Sequence, residues 1–383
     1  MTPKERVFAA LRHREPDRVP TGEIGVDWTI VERALGRESF YRAKWKELTA
    51  LWDGRRDEVV ASYKRDTVDI ARAFEWDAVP VTLAPRRQRE YRWPKILAPY
   101  TWEDAGGRVH QYAPESGGNP ICIKYGDLTW EQLEARERQP LPAPGEDELE
   151  IVRHVVAELG ETHFIFARGA DGCFPYGAIG MEEALMRMVL DPEFMHRLTD
   201  LETRRAIAVN DAFLDAGCDA VLAAVDVCDN RGPIMGPGLF EEFVLPSIEA
   251  MAAACHRKGK LFIKHNDGNN WPILDRLVAA GIDGYQAIQP AIGMDMRRLK
   301  QTYGGRLCLW GGVDVDTLVG GTPEDVRRQV AYAIEHAAPG GGLLLCSGNS
   351  IMATVQYENY LAMLAALRDY GTYPIRVPAE ALA

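Results

Sequence analysis

Short apolar runs alternate with helical patterns along most of this chain of 383 residues. Apolar runs that end in Gly, Asn or Asp are typical of buried strands. Repeated strand-helix units imply parallel strands, and eight of them favour a closed barrel. The predicted strands end at Gly22-Glu23 or span about residues 77–83, 163–168, 219–226, 260–264, 283–287, 306–310 and 342–346. We therefore expect an α/β protein with a (β/α)₈ TIM-barrel fold.

The rest of the chain fits around this barrel, so residues 1–383 are expected to form a single domain. Thr2-Pro3-Lys4-Glu5 is a capping box with proline in the first turn, which predicts an N-terminal helix. Further helices are predicted over about residues 27–36, 38–52 and 56–74. Residues 86–128 interrupt the alternation. There, two β-type runs, 108–112 and 121–124, flank a turn and predict a β-hairpin excursion.

The charge balance argues against two classes of partner. The chain has 44 basic and 56 acidic side chains, so its formal net charge is −12. Nucleic acids and anionic membranes bind basic faces, so we expect neither partner. Seven scattered cysteines without a Cys-x-x-Cys pair are typical of a reduced, cytoplasmic protein. The charged N-terminal helix does not resemble a signal peptide, and no apolar run approaches the ~20 residues that span a bilayer.

Polar side chains follow nearly every predicted strand, at the end where a barrel binds its ligands. The most pronounced case is the apolar run 261–263, which leads directly into Lys264-His265-Asn266-Asp267. The candidates at the other strand ends are Glu23, Asp27, Arg168, Asp171, Asp226, Gln286, Gln289, Asp314, Cys346 and Asn349. Because these strand ends converge on one mouth, we expect one site rather than separate polar loops.

A structural interpretation of these residues also stays open. Asp and Asn follow strands in any α/β protein as helix N-caps, and Asp171, Asp314 and Asn270 fit that role. The pair His265-x-Asp267 is more specific for ligand binding, because a helix cap needs only one of the two side chains.

The same pair suggests a metal site. A catalytic zinc ion takes three protein ligands and keeps one position open. His265 and Asp267 supply two ligands of the right type. The candidates for the third are Glu23, Asp226 and Cys346.

Several short motifs distributed over the chain are, taken together, typical of one protein family. They are Arg6 with Leu11, Pro16-Asp17-Arg18-Val19-Pro20, Asp226 before Gly232-Pro233, Leu239-Phe240-Glu241-Glu242-Phe243-Val244-Leu245-Pro246, His265-Asn266-Asp267-Gly268-Asn269, Gly311-Gly312-Val313-Asp314 and Glu358-Asn359. In these motifs the chain resembles the uroporphyrinogen decarboxylase superfamily over nearly its whole length. That group includes the heme-pathway decarboxylase and cobalamin-dependent methyltransferases that act with corrinoid proteins. Its fold is a (β/α)₈ barrel, in agreement with the strand count.

Two departures from the family pattern concern activity. The heme-pathway decarboxylase has Arg-Gln-Ala-Gly-Arg after its first strand and an aspartate after its second. Here the first segment is acidic, Thr21-Gly22-Glu23-Ile24-Gly25-Val26-Asp27, and Thr82-Leu83-Ala84 follows the second strand without a carboxylate. The thiol-methylating members bind zinc through His-x-Cys and a later Cys. Here Asp267 and Asn349 occupy those two cysteine positions.

The resemblance therefore implies a methyltransferase that moves a methyl group from a small donor to a corrinoid protein. Its catalytic residues would be Glu23, Asp226, His265 and Asp267, since a proton donor or Lewis acid must activate the leaving atom. The expected substrate contacts are Asp27, Arg168, Gln286, Gln289, Asp314 and Asn349, and the expected zinc ligands are His265, Asp267 and Cys346. The chain lacks an Asp-x-His-x-x-Gly cobalamin motif, so the corrinoid would arrive on a partner. No nucleotide cofactor is evident.

Two other functions stay open at this point. A decarboxylase acting on uroporphyrinogen or another acid predicts a large arginine-rich cleft. A non-catalytic ligand-binding barrel predicts that variants at Asp226 and His265 retain cellular function. The oligomeric state is also open, with a homodimer among the alternatives.

Overall fold

The structure is a computed structural model, and it describes residues 1–87 and 91–382. Its strands are β1 (Ala78–Val81), β2 (Lys95–Ala98), β3 (Thr101–Glu103), β4 (Val109–Gln111), β5 (Ile121–Lys124), β6 (Phe164–Arg168), β7 (Ala220–Ala223), β8 (Cys228–Asp229), β9 (Gly232–Pro233), β10 (Leu261–His265), β11 (Gly284–Ile288), β12 (Cys308–Val313) and β13 (Leu343–Ser347). In the described ranges, seven strands form one curled sheet in the order β1-β6-β7-β10-β11-β12-β13. All neighbouring pairs in it are parallel, which confirms the predicted α/β barrel.

Helices connect these strands and pack around them. In chain order they are α1 (Pro3–Leu11), α2 (Trp28–Leu35), α3 (Trp45–Trp52), α4 (Arg56–Ala73), α5 (Trp130–Glu137), α6 (Glu150–Leu159), α7 (Tyr176–Ile179), α8 (Met181–Leu190), α9 (Pro192–Asp215), α10 (Gly236–Leu239), α11 (Leu245–Arg257), α12 (Leu274–Ala279), α13 (Met296–Tyr303), α14 (Val315–Gly320), α15 (Pro323–Ala337) and α16 (Tyr357–Tyr370). The predicted capping box at Thr2 begins α1. None of the helices among the described residues is long and apolar enough to cross a membrane.

The segment before α2 closes the barrel between its two edge strands. The Thr21 carbonyl accepts hydrogen bonds from the backbone N–H groups of Asp77 and Ala78, at 2.7 and 3.1 Å, where β1 begins. On the other side, the Leu345 N–H of β13 donates to the Pro20 carbonyl at 3.0 Å. The Thr21 hydroxyl also donates to the Leu345 carbonyl, at 2.8 Å. This segment therefore occupies the eighth strand position, where the sequence predicts the first strand.

An apolar core fills the interior and closes the N-terminal end of the barrel. Its inward-facing members include Phe164, Phe166, Leu222, Ile263, Trp310 and Leu344. Val7 and Leu11 of α1 join this core, and the Phe8 ring packs edge-on against Phe164 with centroids 5.2 Å apart. Since α1 covers this end, a ligand reaches the barrel at the opposite end, where the strands terminate.

A buried ion network ties the N-terminal segment to the same covered end. The Arg6 guanidinium lies 2.6 Å from an Asp17 carboxylate oxygen and 2.5 Å from an Asp77 oxygen. Arg18 reaches Asp77 as well, at 3.0 Å. Arg6, Asp17 and Arg18, three of the motif positions noted in the sequence, therefore stabilise the fold, because their contacts lie away from the open mouth.

The excursion contains a four-stranded antiparallel sheet in the order β2-β3-β4-β5. Strands β4 and β5 pair as the predicted hairpin, and β2 and β3 extend it beyond the prediction. Residues 88–90, which belong to the predicted excursion, lie outside the described residues. Trp102 of β3 packs against Trp45 and Trp52 of α3, with ring centroids 5.6 and 5.4 Å apart. This sheet is therefore held against α3.

The helix predicted over residues 38–52 is wrong in its first half, because α3 begins only at Trp45. The preceding backbone turns sharply, with positive φ angles of 51° at Arg42 and 49° at Lys44. Both side chains pair with the buried carboxylate of Asp27, at 3.0 and 3.2 Å. These ion pairs require a backbone that a helix does not provide, so tertiary contacts override local helix propensity.

Candidate active site at the barrel mouth

The period of two along the strands brings several predicted site residues to the interior face of the mouth. Successive strand residues point to opposite faces, so His265 faces the interior like Ile263, two positions earlier. Arg168 follows Phe166 in the same way at the end of β6. Gln286 of β11 pairs in register with His265. The barrel thus presents polar side chains directly above its apolar core.

Asp226, His265 and Asp267 form a compact cluster at this mouth. One ligand-type atom from each lies within 4.8 Å of the other two. The His265 Nε2 atom is 3.6 Å from Asp226 Oδ1 and 3.9 Å from Asp267 Oδ1. The Asp226 side chain is 41% exposed, whereas that of His265 is 6% exposed, so the cluster opens towards solvent through Asp226.

Gln286 orients the imidazole of the cluster. The His265 Nδ1 atom is hydrogen-bonded to the Gln286 side-chain oxygen, so Nδ1 carries the proton in the neutral ring. The Nε2 lone pair then faces the two carboxylates. Burial is the main cause that lowers the pKa of His265, and the positive charges of Lys264 and Arg168 lower it further. The ring is therefore neutral at physiological pH, as a metal ligand or proton acceptor must be.

Asp267 is the member of the cluster with spare bonding capacity. Its Oδ2 atom accepts a hydrogen bond from the Asn349 amide at 2.5 Å, and its backbone N–H donates to Asp226 Oδ1 at 2.9 Å. Its Oδ1 atom is buried and has no hydrogen-bond partner among the described residues. Burial, and then the charge of Asp226, raise the pKa of Asp267 to about 8. At neutral pH this carboxyl group holds a proton.

A buried ion pair supports the loop that carries Asp226. Lys264, fully buried on β10, donates to Asp171 at 2.8 Å and to the Val225 carbonyl at 2.7 Å. Asp171 also accepts from the Val225 N–H at 2.9 Å. Burial raises the pKa of Asp171, but the charge of Lys264 and the hydrogen bonds from Cys173, Lys264 and Val225 together hold this pKa below its usual value. The pair thereby fixes the backbone immediately before Asp226.

Glu23 lies behind the cluster and is fully buried. It accepts from the Ser347 N–H at 3.1 Å, and its other oxygen is 2.6 Å from the Ser347 hydroxyl. Burial raises the pKa of Glu23 to about 7. The Ser347 hydroxyl also contacts the Asn349 carbonyl, and one hydroxyl proton cannot serve two acceptors. A protonated Glu23 satisfies both contacts, and Asn349 continues the chain to Asp267.

A second group lies beside the cluster, around a cavity of about 990 Å³. Arg168, Arg42 and Lys44 line it, and the predicted contact Asp27 lies buried behind them as the partner of Arg42 and Lys44. Burial, and then the charge of Arg42, lower the pKa of Arg168 to about 10. Asp226, His265 and Asp267 do not line this cavity. The mouth therefore contains two neighbouring polar regions.

The remaining predicted residues have other surroundings. The Gln289 side chain accepts from the Gly268 N–H at 2.8 Å and holds the loop after β10. Asp314 accepts from the Ala291 N–H at 3.1 Å, and so holds the loop after β11 outside the cluster. Cys346 belongs to the interior core, and its thiol lies 3.9 Å from the Gln286 amide nitrogen. Burial raises the pKa of Cys346 well above its usual value, so a thiolate is disfavoured there.

Sequence reasoning missed Lys264, Arg42 and Lys44 as parts of the site. Lys264 carried a signal, because a lysine inside an apolar strand requires a buried partner. Arg42 and Lys44 carried none, since they lie in a stretch with a helical pattern and depend on a carboxylate 15 or more positions away.

Comparisons with known proteins agree with this architecture. Residues 113–370 match the family described as "Uroporphyrinogen decarboxylase (URO-D)". A uroporphyrinogen decarboxylase of Alkalilimnicola ehrlichii is 28% identical over 267 residues, which cover 64% of this chain and 68% of that protein. The one from Xanthomonas axonopodis pv. citri is 30% identical over 159 residues, but the match spans only 39% of this chain and 41% of that protein.

A solved structure matches over almost the full length. A methyltransferase from Methanosarcina mazei superposes with a TM-score of 0.73, covering 97% of this chain and 99% of that chain, at 19% sequence identity. At 19% sequence identity this likeness shows a shared fold and no more. The family match spans well over half of this chain and includes the strands that carry Arg168 and His265 and the loop that carries Asp226. The chain is therefore a member of the uroporphyrinogen decarboxylase (URO-D) family.

Proposed function

We propose that this protein transfers a methyl group from a small methylated donor to a corrinoid carried by a partner protein. The observation that supports this most is the protonated, partly unpartnered carboxyl group of Asp267 beside His265 and Asp226. Methyl transfer from oxygen or nitrogen requires a proton or Lewis acid on the leaving atom. The cluster offers a proton at the open end of the barrel.

Each residue of the cluster has a separate role in the proposed reaction. The Asp267 proton is delivered to the donor's oxygen or nitrogen as its bond to the methyl carbon breaks, and the bonding electrons stay on that atom. The methyl group bonds to the reduced cobalt of the partner's cob(I)alamin, which supplies the electron pair. The neutral His265 ring then takes up a proton from the solvent side, where Asp226 lies 3.6 Å from its Nε2 atom, and returns the proton to Asp267, which lies 3.9 Å from the same atom. Asn349 keeps the Asp267 carboxyl in place.

The same cluster also fits a zinc ion. Asp226, His265 and Asp267 would hold it, since two carboxylates and a neutral imidazole converge there and a buried carboxylate oxygen has no other partner. A bound zinc ion would supply a Lewis acid for the leaving atom. Cys346 lies apart from this group, behind Gln286.

Zinc binding to this cluster is expected to stabilise the folded protein. At a free Zn²⁺ concentration about a hundred times the dissociation constant, the gain is about 2.7 kcal/mol. Protein freed of metal with a chelator and lacking a metal-binding tag should melt at a higher temperature when Zn²⁺ is added. His265→Ala should lose the increase, and Cys346→Ser should keep it. An unchanged melting temperature in the wild-type protein would contradict the zinc assignment. The Asp267 proton would then be the group that activates the leaving atom.

The direct test of methyl transfer uses cob(I)alamin as the acceptor. The protein is incubated with methyl ethers and methylamines, and methylcobalamin is followed by its absorbance. We expect at least one donor to be demethylated, and Asp267→Asn to lower the rate about a hundredfold, because general acid catalysis contributes that much. Glu38→Gln, at a side chain that is 93% exposed and lies outside the large cavity, should retain the wild-type rate. Failure with every donor class would refute the proposal.

Decarboxylation of an acid is the second candidate, because basic side chains line the cavity beside the cluster. The names of the sequence relatives agree with it, whereas the name of the structural relative agrees with methyl transfer. Two of the cavity's cations are engaged, however. Lys95 pairs with Glu103 at 3.1 Å and Arg108 pairs with Asp104 at 2.9 Å. Release of CO₂ from uroporphyrinogen or a simpler acid, with no methylcobalamin formed, would favour this candidate.

A further inference from the structure

The inner end of the large cavity carries more positive than negative charge. Arg168, Arg42 and Lys44 converge there, and one carboxylate, that of Asp27, pairs with Arg42 and Lys44. A further acid, Glu47, lines the same wall, but burial raises its pKa to about 7, so it is only partly ionised at neutral pH. Buried charge without a counter-charge is unfavourable. This end of the cavity therefore carries an excess of positive charge, which an anionic ligand would offset.

Arg168 is the side chain that this anion would contact. Its guanidinium has no hydrogen bond or ion pair with any residue of the described ranges, although Arg42 and Lys44 both have partners. It is one of the residues that line the cavity. A planar guanidinium with free donors matches a carboxylate in a two-point arrangement.

The backbone that carries Arg42 and Lys44 is held in an uncommon conformation. Arg42 and Lys44 have positive φ angles of 51° and 49°, which are unusual for residues other than glycine. A Cβ atom at Gly25 would lie 2.8 Å from the Arg42 guanidinium, so a larger residue there would displace this guanidinium from its present position. Conformational strain of this kind persists where surrounding contacts enforce it, often at binding sites. Here it keeps two cations beside Arg168.

Beyond this charged end, the cavity walls are aromatic. Tyr41, Tyr63, Trp52 and Trp102 line it together with His110, whose ring stacks on Trp102 with centroids 5.4 Å apart. Aromatic walls favour a flat ring, which packs against them through face and edge contacts. The cavity thus combines a carboxylate site with a slot for an aromatic body.

We propose that this cavity binds an aromatic carboxylate, with its carboxylate on Arg168 and its ring between the aromatic walls. This binding site is separate from the cluster of the proposed methyl transfer, because Asp226, His265 and Asp267 do not line the cavity. Arg168 ends β6 and His265 ends β10, two strands further along the sheet, so roughly 10 Å separates the two positions across the mouth.

Isothermal titration calorimetry on the wild-type protein without cobalamin tests this inference directly. The probes are para-methoxybenzoate, the neutral ether methoxybenzene and the non-aromatic cyclohexanecarboxylate. We expect para-methoxybenzoate to bind at least tenfold more tightly than either of the others. Arg168→Met should weaken its binding at least tenfold. Arg108→Met is the matched control, since this arginine lines the same cavity but pairs with Asp104, and its binding should stay within twofold of wild type.

A second measurement shows whether Arg168→Met acts through the anion site or through unfolding. Removing an unpaired buried charge should raise the melting temperature of the ligand-free protein, whereas a structural role would lower it. Equal affinity for methoxybenzene would overturn the carboxylate site, and equal affinity for cyclohexanecarboxylate would overturn the aromatic slot. Absence of binding would overturn the inference as a whole.

The outcomes also separate this inference from the proposed function. Binding of para-methoxybenzoate without methylcobalamin formation, when cob(I)alamin is then added, would retain the cavity assignment and show that this ligand is not a methyl donor. Methylcobalamin formation from other donors, with no binding of para-methoxybenzoate, would retain methyl transfer and overturn the cavity assignment.

Discussion

Replacing Lys264 with methionine is expected to lower the free energy of unfolding by about 3–5 kcal/mol, the usual cost of breaking a buried ion pair. The substitution leaves the Asp171 carboxylate buried without its counter-charge, and it removes the hydrogen bond to the Val225 carbonyl. Urea unfolding followed by circular dichroism measures the change. Lys258→Met is the matched control, because Lys258 pairs with the exposed Asp215 at the surface. Its effect should be below about 1 kcal/mol.

A double variant separates charge from packing at this pair. Asp171→Asn removes the uncompensated charge, so adding it to Lys264→Met should recover about half of the lost stability. If the double variant is less stable than Lys264→Met alone, the buried charge is not the source of the cost. In that case the hydrogen bonds from Val225 and Cys173 to Asp171 would be the dominant contribution.

Replacing Glu23 with glutamine is expected to remove part of the pH dependence of stability. Burial raises the pKa of Glu23 from 4.5 to about 7, so the folded protein keeps a proton that the unfolded chain releases. The wild-type protein therefore loses stability as the pH rises from about 4.5 to about 7. The loss from this group is roughly 3 kcal/mol, at about 1.4 kcal/mol per pH unit. Glutamine stays neutral throughout and has the same shape, so it should not show this loss.

Urea unfolding at pH 5 and pH 8 measures the effect at Glu23. The difference in unfolding free energy between the two pH values should be about 2.5 kcal/mol smaller in Glu23→Gln than in wild type. Glu38→Gln, at a side chain that is 93% exposed, should reproduce the wild-type difference. An unchanged pH dependence in Glu23→Gln would mean that Glu23 is ionised in the folded state. Ser347 would then donate to Glu23 rather than to the Asn349 carbonyl.

The barrel and part of its mouth follow from local sequence patterns. Each strand-helix unit carries its own pattern, and a parallel arrangement brings all the strand ends to the same side. That reasoning places Asp226 and His265 together without any knowledge of the coordinates, because each lies at or just beyond the end of its strand. It also indicates the excursion, since the runs around Val109 and Ile121 are β-type and flank a turn.

The electrostatics of the mouth follow only from the tertiary structure. A sequence shows that Glu23 and Asp267 are acidic, but their protonation depends on burial and on neighbours at least 41 positions away. The turn at Arg42 and Lys44 has the same origin, since the carboxylate of Asp27 outweighs the helical propensity of the segment. Strand periodicity is a property of neighbouring residues, so the chain alone determined the barrel. Charge and desolvation depend on everything packed around a group, so only the folded structure decided which side chains carry a proton.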